Sequence, residues 1–149
     1  MRTLRLRQPR WISRTGRILA HVTIVNALDP AREIGCEALV DTSAWGLMLP
    51  RAWKERLGAF QMTRTVEMVT ADQRVVSGEV CGPVTIQIEG CEPVSSEVTF
   101  VDMELEGGRY RPLLGYTVLE QAGLAADPVG GRLLKIPHMD LRAASGSTG

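Results

Sequence analysis

The sequence predicts a mainly β fold carrying one or two short helices. Three observations predict it: a period of two among the apolar residues, turn-forming residues set between short apolar runs, and two segments with helix-boundary chemistry. The period is clearest where Val84, Ile86 and Ile88 alternate with Thr85, Gln87 and Glu89, which puts the apolar groups on one face of a sheet. Further strands are expected over residues 18–25, 37–40, 66–69, 74–80, 97–101 and 132–136, punctuated by Gly, Pro, Asn and Asp. The first helix is expected to begin at Pro50, whose fixed φ suits a first helical position, to run through Trp53 and Leu57, and to stop at Gly58. The second opens on Thr117-Val-Leu-Glu120, a capping box in which Thr117 and Glu120 satisfy each other's orphan amides, and ends near Gly123. No repeat of fixed period is present.

Length and charge narrow the function classes. At 149 residues the chain has the size of one domain and is too short for two independent catalytic lobes. Its 17 basic residues balance 17 acidic ones, so no nucleic-acid partner is expected. No apolar run approaches the ~20 residues that cross a bilayer, and the N-terminal stretch lacks the apolar core of a signal peptide, so no membrane partner and a cytoplasmic location are expected. Cys36, Cys81 and Cys91 are odd in number and widely spaced, without neighbouring histidines, which favours free thiols, buried or half-buried, over a zinc site. Neither a metal nor a cofactor is expected.

The charge is unevenly placed. Arg2, Arg5, Arg7, Arg10, Arg14 and Arg17 all precede the first acidic residue, Asp29. Residues 1–17 therefore read as a basic arm, a solvated leader or charge-guarded edge in preference to a phosphate-binding or partner-binding tail. Residues 143–149 have nothing to bury, and a disordered tail is expected over 141–149. Residues 18–140 remain as the folded domain.

The informative segment is Ala38-Leu-Val-Asp41-Thr42-Ser43-Ala44-Trp45-Gly-Leu-Met-Leu49-Pro50, an apolar strand that runs into Asp-Thr-Ser and returns to apolar residues. A carboxylate at the end of a buried strand is costly unless hydroxyls and loop amides hold it, and a carboxylate so held is the setting of a working acid or base. Asp-Thr-Ser is also an ordinary Asx-turn or helix-cap tripeptide, so it decides nothing alone. The surrounding order adds weight: a helix after Leu49-Pro50, a hairpin-rich middle, and Pro112-Leu113-Leu114-Gly115 leading into the second helix. Other readings fare worse. His21 and His138 lie at opposite ends of the chain, Ser43 lacks a Gly-x-Ser-x-Gly elbow, and no Gly-rich stretch ends in the Lys-Ser or Lys-Thr of a phosphate loop. Asp102, Glu104 and Glu106 alternate with Met103 and Leu105 and are expected to share a strand face, as an exposed charged edge in preference to a cation site.

This order resembles the retropepsin-like aspartic proteases, in particular the small bacterial members, over roughly residues 18–137. Their pattern is Ala-Leu-Val-Asp-Thr-Gly-Ala followed by Leu-Pro, a flap hairpin, then apolar-Leu-Gly and a helix. The resemblance implies a closed β-barrel, one half of an acid protease, with a flap hairpin. It makes Asp41 the catalytic aspartate, Thr42 the hydroxyl residue that crosses to a partner chain and braces the two active-site loops, and Ser43 the third member of the catalytic tripeptide. Leu113, Leu114 and Gly115 match the apolar pair and glycine under the catalytic loop. Residues 69–75 fall where the flap lies, so Thr70, Ala71, Asp72 and Gln73 are expected to bind substrate together with Ala44 and Trp45. Residues 127–134 resemble the closing strand.

Two departures stand out. Ser43 occupies the place of a glycine, whose backbone can take strained angles and whose amide approaches the carboxylate closely. Trp45 replaces a small or polar residue, and for it packing in the core or at a dimer contact competes with lining a substrate pocket. Hydrolysis by carboxylates needs two of them sharing one proton, and Asp29, Asp72, Asp102, Asp127 and Asp140 all lack a comparable setting. The second carboxylate must come from a second copy. The expectation is a homodimeric aspartic endopeptidase acting on peptide or protein substrates, with a catalytically weakened dimeric binding module of the same fold as the alternative.

Overall fold

The computed structural model describes residues 17–69 and 72–136. The basic arm up to Gly16, the hairpin residues Thr70 and Ala71, His138, Asp140 and the tail over 141–149 lie outside the described residues.

The chain opens with an antiparallel hairpin of β1 (Leu19–Asn26) and β2 (Asp29–Val40). Apolar alternation makes β1 legible, since Ala20, Val22 and Ile24 are all buried. β2 begins eight residues earlier than its apolar run, because its first half carries charge and is held as strand by pairing with β1. Then come β3 (Leu47–Pro50) and a 3-10 helix over Arg51–Leu57. Pro50 does not open that helix. Its ψ of 139° is extended, and it closes β3 opposite Val101, while the helix ends at Gly58 as its sequence requires.

β4 (Met62–Val69) and β5 (Val75–Ile88) form a long hairpin in which Val69 faces Val75 across the tip. β5 is one strand where the alternation predicts two. Its register shifts between Cys81 and Val84; the residues before the shift pair with β4, and those after it pair with β1. β6 (Val94–Val101) pairs with β5 on one side and runs parallel to β3 on the other. Asp102, Glu104 and Glu106 lie beyond the end of β6, so they share no strand face, and Asp102 pairs with Arg51 instead.

β7 (Leu113–Leu114) lies between β2 and β3, and α1 (Tyr116–Ala122) follows directly. The expected capping box is absent: Gly115 is the N-cap and no side chain caps the helix. The first helical amides are satisfied by backbone instead, Tyr116 N–H donating to the Ala44 carbonyl at 2.8 Å and Thr117 N–H to that of Trp45 at 2.8 Å. Gly123, in the left-handed region, ends the helix where expected. The stretch 127–134 is not a single strand. It turns the hairpin between β8 (Leu124–Asp127) and β9 (Arg132–Lys135), with the Asp127 carboxylate accepting from the Gly130 amide at 3.0 Å.

The strand order is β1-β2-β7-β3-β6-β5-β4, and β1 pairs with β5 as well, so the mixed sheet curls until its pairing returns to the first strand. Inside it sit Val22, Ile24, Ile34, Leu47, Leu49, Ile86, Phe100 and Leu114, with Val118 and Leu119 of α1 closing one side. Beside Thr99, Asn26 is the buried polar exception. Its amide donates to the carbonyls of Leu57 and Ala59 at 2.8 and 2.7 Å, tying β1 to the end of the 3-10 helix. The three cysteines are free, Cys81 buried and the other two half-buried, as expected. No helix among the described residues is long and apolar enough to cross a membrane.

Candidate active site

Asp41 directly follows β2, and three strands fix where it stands. The Leu39 amide donates to the Pro112 carbonyl at 2.8 Å, Val40 to Ile18 at 2.8 Å, and Asp41 itself to Leu114 at 3.0 Å. The loop that follows folds back on the carboxylate. Ser43 donates twice to Asp41 Oδ1, from its amide at 2.9 Å and from its hydroxyl at 2.5 Å, and the Ala44 amide donates to the Asp41 carbonyl at 3.0 Å. The carboxylate is thus oriented by its own loop and half-buried, with the Thr42 and Ser43 side chains exposed.

Under the loop lies Gly115, and its lack of a side chain is required. A Cβ there would stand 2.4 Å from the Ala44 carbonyl oxygen and 2.5 Å from that of Gly46. Leu113, Leu114 and Gly115 therefore form the floor on which the Asp41 loop rests, and α1 begins where that floor ends.

Ser43 carries no strained backbone angle, since Gln73 is the non-glycine residue at positive φ among those described. What serine adds to the loop is the second hydrogen bond to Oδ1.

The expected site residues fall into two groups. Asp41, Thr42, Ser43, Ala44 and Trp45 share the loop, where Ala44 is buried with both its amide and its carbonyl engaged, and Trp45 is 47% exposed. That exposure removes core packing as the role of Trp45. Asp72 and Gln73 belong to a different element, the tip of the β4–β5 hairpin, where Asp72 pairs with Arg74 at 2.9 Å. Thr70 and Ala71 lie outside those residues.

A cavity of about 270 Å³ adjoins the carboxylate, lined by Asp41 and Thr42 together with Arg17, Ile18, Leu39, Val40, Ala126 and Pro128. Ala126 and Pro128 were missed from sequence. They come from the β8–β9 hairpin, and only the return of that hairpin to the end of β2 brings them near. Tyr116 was missed too. It is 54% exposed, its amide bonds Ala44, and Glu120 beside it holds its phenol above the usual range.

The mainly β architecture, with its curled mixed sheet, hairpin and single helix under the Asp41 loop, is a retropepsin-like fold. One solved structure that shows it is that of the retroviral EIAV protease complexed with the inhibitor HBY-793, which aligns over 70% of this chain and 86% of its own with a TM-score of 0.50. Sequence identity between the two is 21%, so the likeness is one of fold. No protein-family model and no curated protein matches the chain.

Proposed function

We propose that this chain is an aspartic endopeptidase, active as a homodimer, that hydrolyses peptide bonds with a water molecule activated by a pair of Asp41 carboxylates. The observation that carries this reading is the Asp41 loop. Its carboxylate is oriented by the Ser43 amide and hydroxyl, partly open to solvent, and supported from below by Gly115 and α1. A surface aspartate needs none of that framing. The fold shared with the EIAV protease supports the same reading.

Chemistry asks for a second carboxylate. One member of the pair polarises the scissile carbonyl while the other takes a proton from the attacking water, and then returns it to the leaving amine. No other acidic residue lines the Asp41 cavity among the described residues. A two-fold axis beside Asp41 supplies the missing group, because an isologous contact brings a residue near the axis against its own copy. Exposed Thr42, Trp45 and Tyr116 flank the place where that contact would form. In this reading residues 18–140 are the protease domain, and the β4–β5 hairpin is the flap that closes over substrate.

One observation favours the alternative of a binding module with weakened catalysis. The Ser43 hydroxyl occupies Asp41 Oδ1, the oxygen that the Ser43 amide already holds, and a second donor there competes with a proton or water at that atom. The experiment that separates the two is a peptide-library digest from acidic to neutral pH, with and without a transition-state inhibitor of aspartic proteases. Cleavage abolished by the inhibitor supports the endopeptidase; a dimer that binds the inhibitor without cleaving any peptide supports the binding module.

A further inference from the structure

Residues 102–112 leave β6 and return to β7 with both ends tied down. Arg51 Nε donates to Asp102 at 3.1 Å, and the Pro112 carbonyl accepts from the Leu39 amide at 2.8 Å. Between these anchors Glu106 and Arg109 exchange backbone hydrogen bonds of 2.7 and 3.1 Å around Gly107 and Gly108, whose φ angles of 58° and 80° make a primed hairpin turn. The loop arches over the middle of β2 and the 3-10 helix. It borders an open cavity of about 390 Å³ whose lining includes Cys36, Glu37, Trp53, Arg109, Tyr110 and Arg111. Cys36 precedes Asp41 by five residues, ~16 Å along an extended strand, and the two cavities share no lining residue.

We propose that this cavity is a binding site for an aromatic carboxylate, either a free small acid or the C-terminal residue of a peptide. Trp53 and Tyr110 supply the apolar part, their rings meeting edge to face at 6.0 Å, and the Arg56 guanidinium stacks 5.1 Å from the centre of the Trp53 ring. Arg109 and Arg111 supply the anion-binding part. Neither forms an ion pair among the described residues, and a guanidinium fork matches the two oxygens of a carboxylate.

Charge favours an anion: Arg109 and Arg111 against Glu37 leave one positive charge on the lining, and Arg56 on the Trp53 ring adds to it. Size agrees, since the volume lies at the small end of ligand cavities and suits one aromatic group with its carboxyl. Cys36 takes no covalent part. Burial pushes its thiol up to about 12, so it stays protonated and serves as apolar lining.

The site does not rest on the peptidase reading, and the Asp41→Asn chain serves as well as the parent in its test. The full chain is titrated with N-acetyltryptophan, with its carboxamide, and with short peptides ending in tryptophan as free acid or amide. Calorimetry reads affinity, and amide nuclear magnetic resonance signals of Gly107, Gly108 and Tyr110 read location. The acid is expected to bind and shift those signals, its amide to bind at least about ten-fold more weakly, and Arg111→Gln to weaken the acid by a similar factor with an unchanged melting curve. Binding by the capped amino acid alone names a small acid as the ligand, and binding by the peptide acids as well names a protein C-terminus. Equal affinity for acid and amide, indifference to an Arg109→Gln, Arg111→Gln double variant, tighter binding of phenyl phosphate than of the acid, or no shift of the loop signals at millimolar ligand would each overturn the proposal.

Discussion

The backbone amide of Tyr116, the first residue of α1, donates to the carbonyl of Ala44, three residues after Asp41, at 2.8 Å. The next helical amide, Thr117, does the same with Trp45. The start of the helix and the aspartate loop therefore satisfy each other, and each is misplaced if the other moves.

Gly115→Ala tests that dependence. The added methyl would meet backbone oxygens at 2.4 and 2.5 Å, which cannot swing aside like a side-chain tip. A loss of about 3 kcal/mol is expected, the upper part of the range for overpacked sites, read from the urea midpoint. A variant as stable as the parent would mean that the loop does not rest on Gly115 as described.

Ser43→Gly removes the hydroxyl bond to Oδ1 and leaves the amide bond at 2.9 Å. If the serine is an added restraint on a working loop, peptidase turnover stays level or rises. Ser43→Ala should behave alike, since the hydroxyl is the group lost in both. Turnover abolished in both variants, with folding intact, would make the hydroxyl part of the chemistry.

Thr42→Val probes assembly. Thr42 is exposed and forms no hydrogen bond within the chain among the described residues, so losing its hydroxyl should leave the melting temperature of the isolated chain unchanged. In the homodimer the same change is expected to raise the dissociation constant about ten-fold, measured by sedimentation. A parent chain that is strictly monomeric at micromolar concentration would rule out the proposed assembly.

Glu79 anchors the 3-10 helix to β5. Lys54 at 2.7 Å and Arg51 on its other oxygen hold its carboxyl below the usual glutamate range, the Lys54 hydrogen bond first among the causes. A depressed folded value means that the stabilisation is complete above the ordinary value of 4.5 and is lost as pH falls through the lower, folded one. Glu79→Gln should therefore lower the melting temperature at neutral pH and converge with the parent in strong acid. A constant difference at all pH values would show that packing, and not charge, sets the contribution of Glu79.

The period of two and the glycine stops were legible because each is a local signal: Val84, Ile86 and Ile88 alternate whatever else the chain does, and Gly58 and Gly123 end helices through their own backbone freedom. The beginnings of elements were less so. Pro50 looked like a first helical residue and is the last residue of a strand, because β6 is there to pair with it. Thr117 and Glu120 match a capping box that stays unused, since the helix begins one residue earlier, at Tyr116, and the Trp45 carbonyl already takes the Thr117 amide. The order of residues around Asp41 singled out its loop, whereas Ala126, Pro128 and Tyr116 reach it through tertiary folding that no local pattern encodes.

Asp41→Asn separates catalysis from fold and assembly, because it keeps the shape of the side chain and removes the group that carries the proton. Purified parent and variant would be compared for cleavage of an unstructured protein, alongside sedimentation of both. Peptidase activity is expected in the parent and none in the variant, with the dimer retained. Equal proteolysis by the two, in protein free of contaminating peptidases, would contradict it.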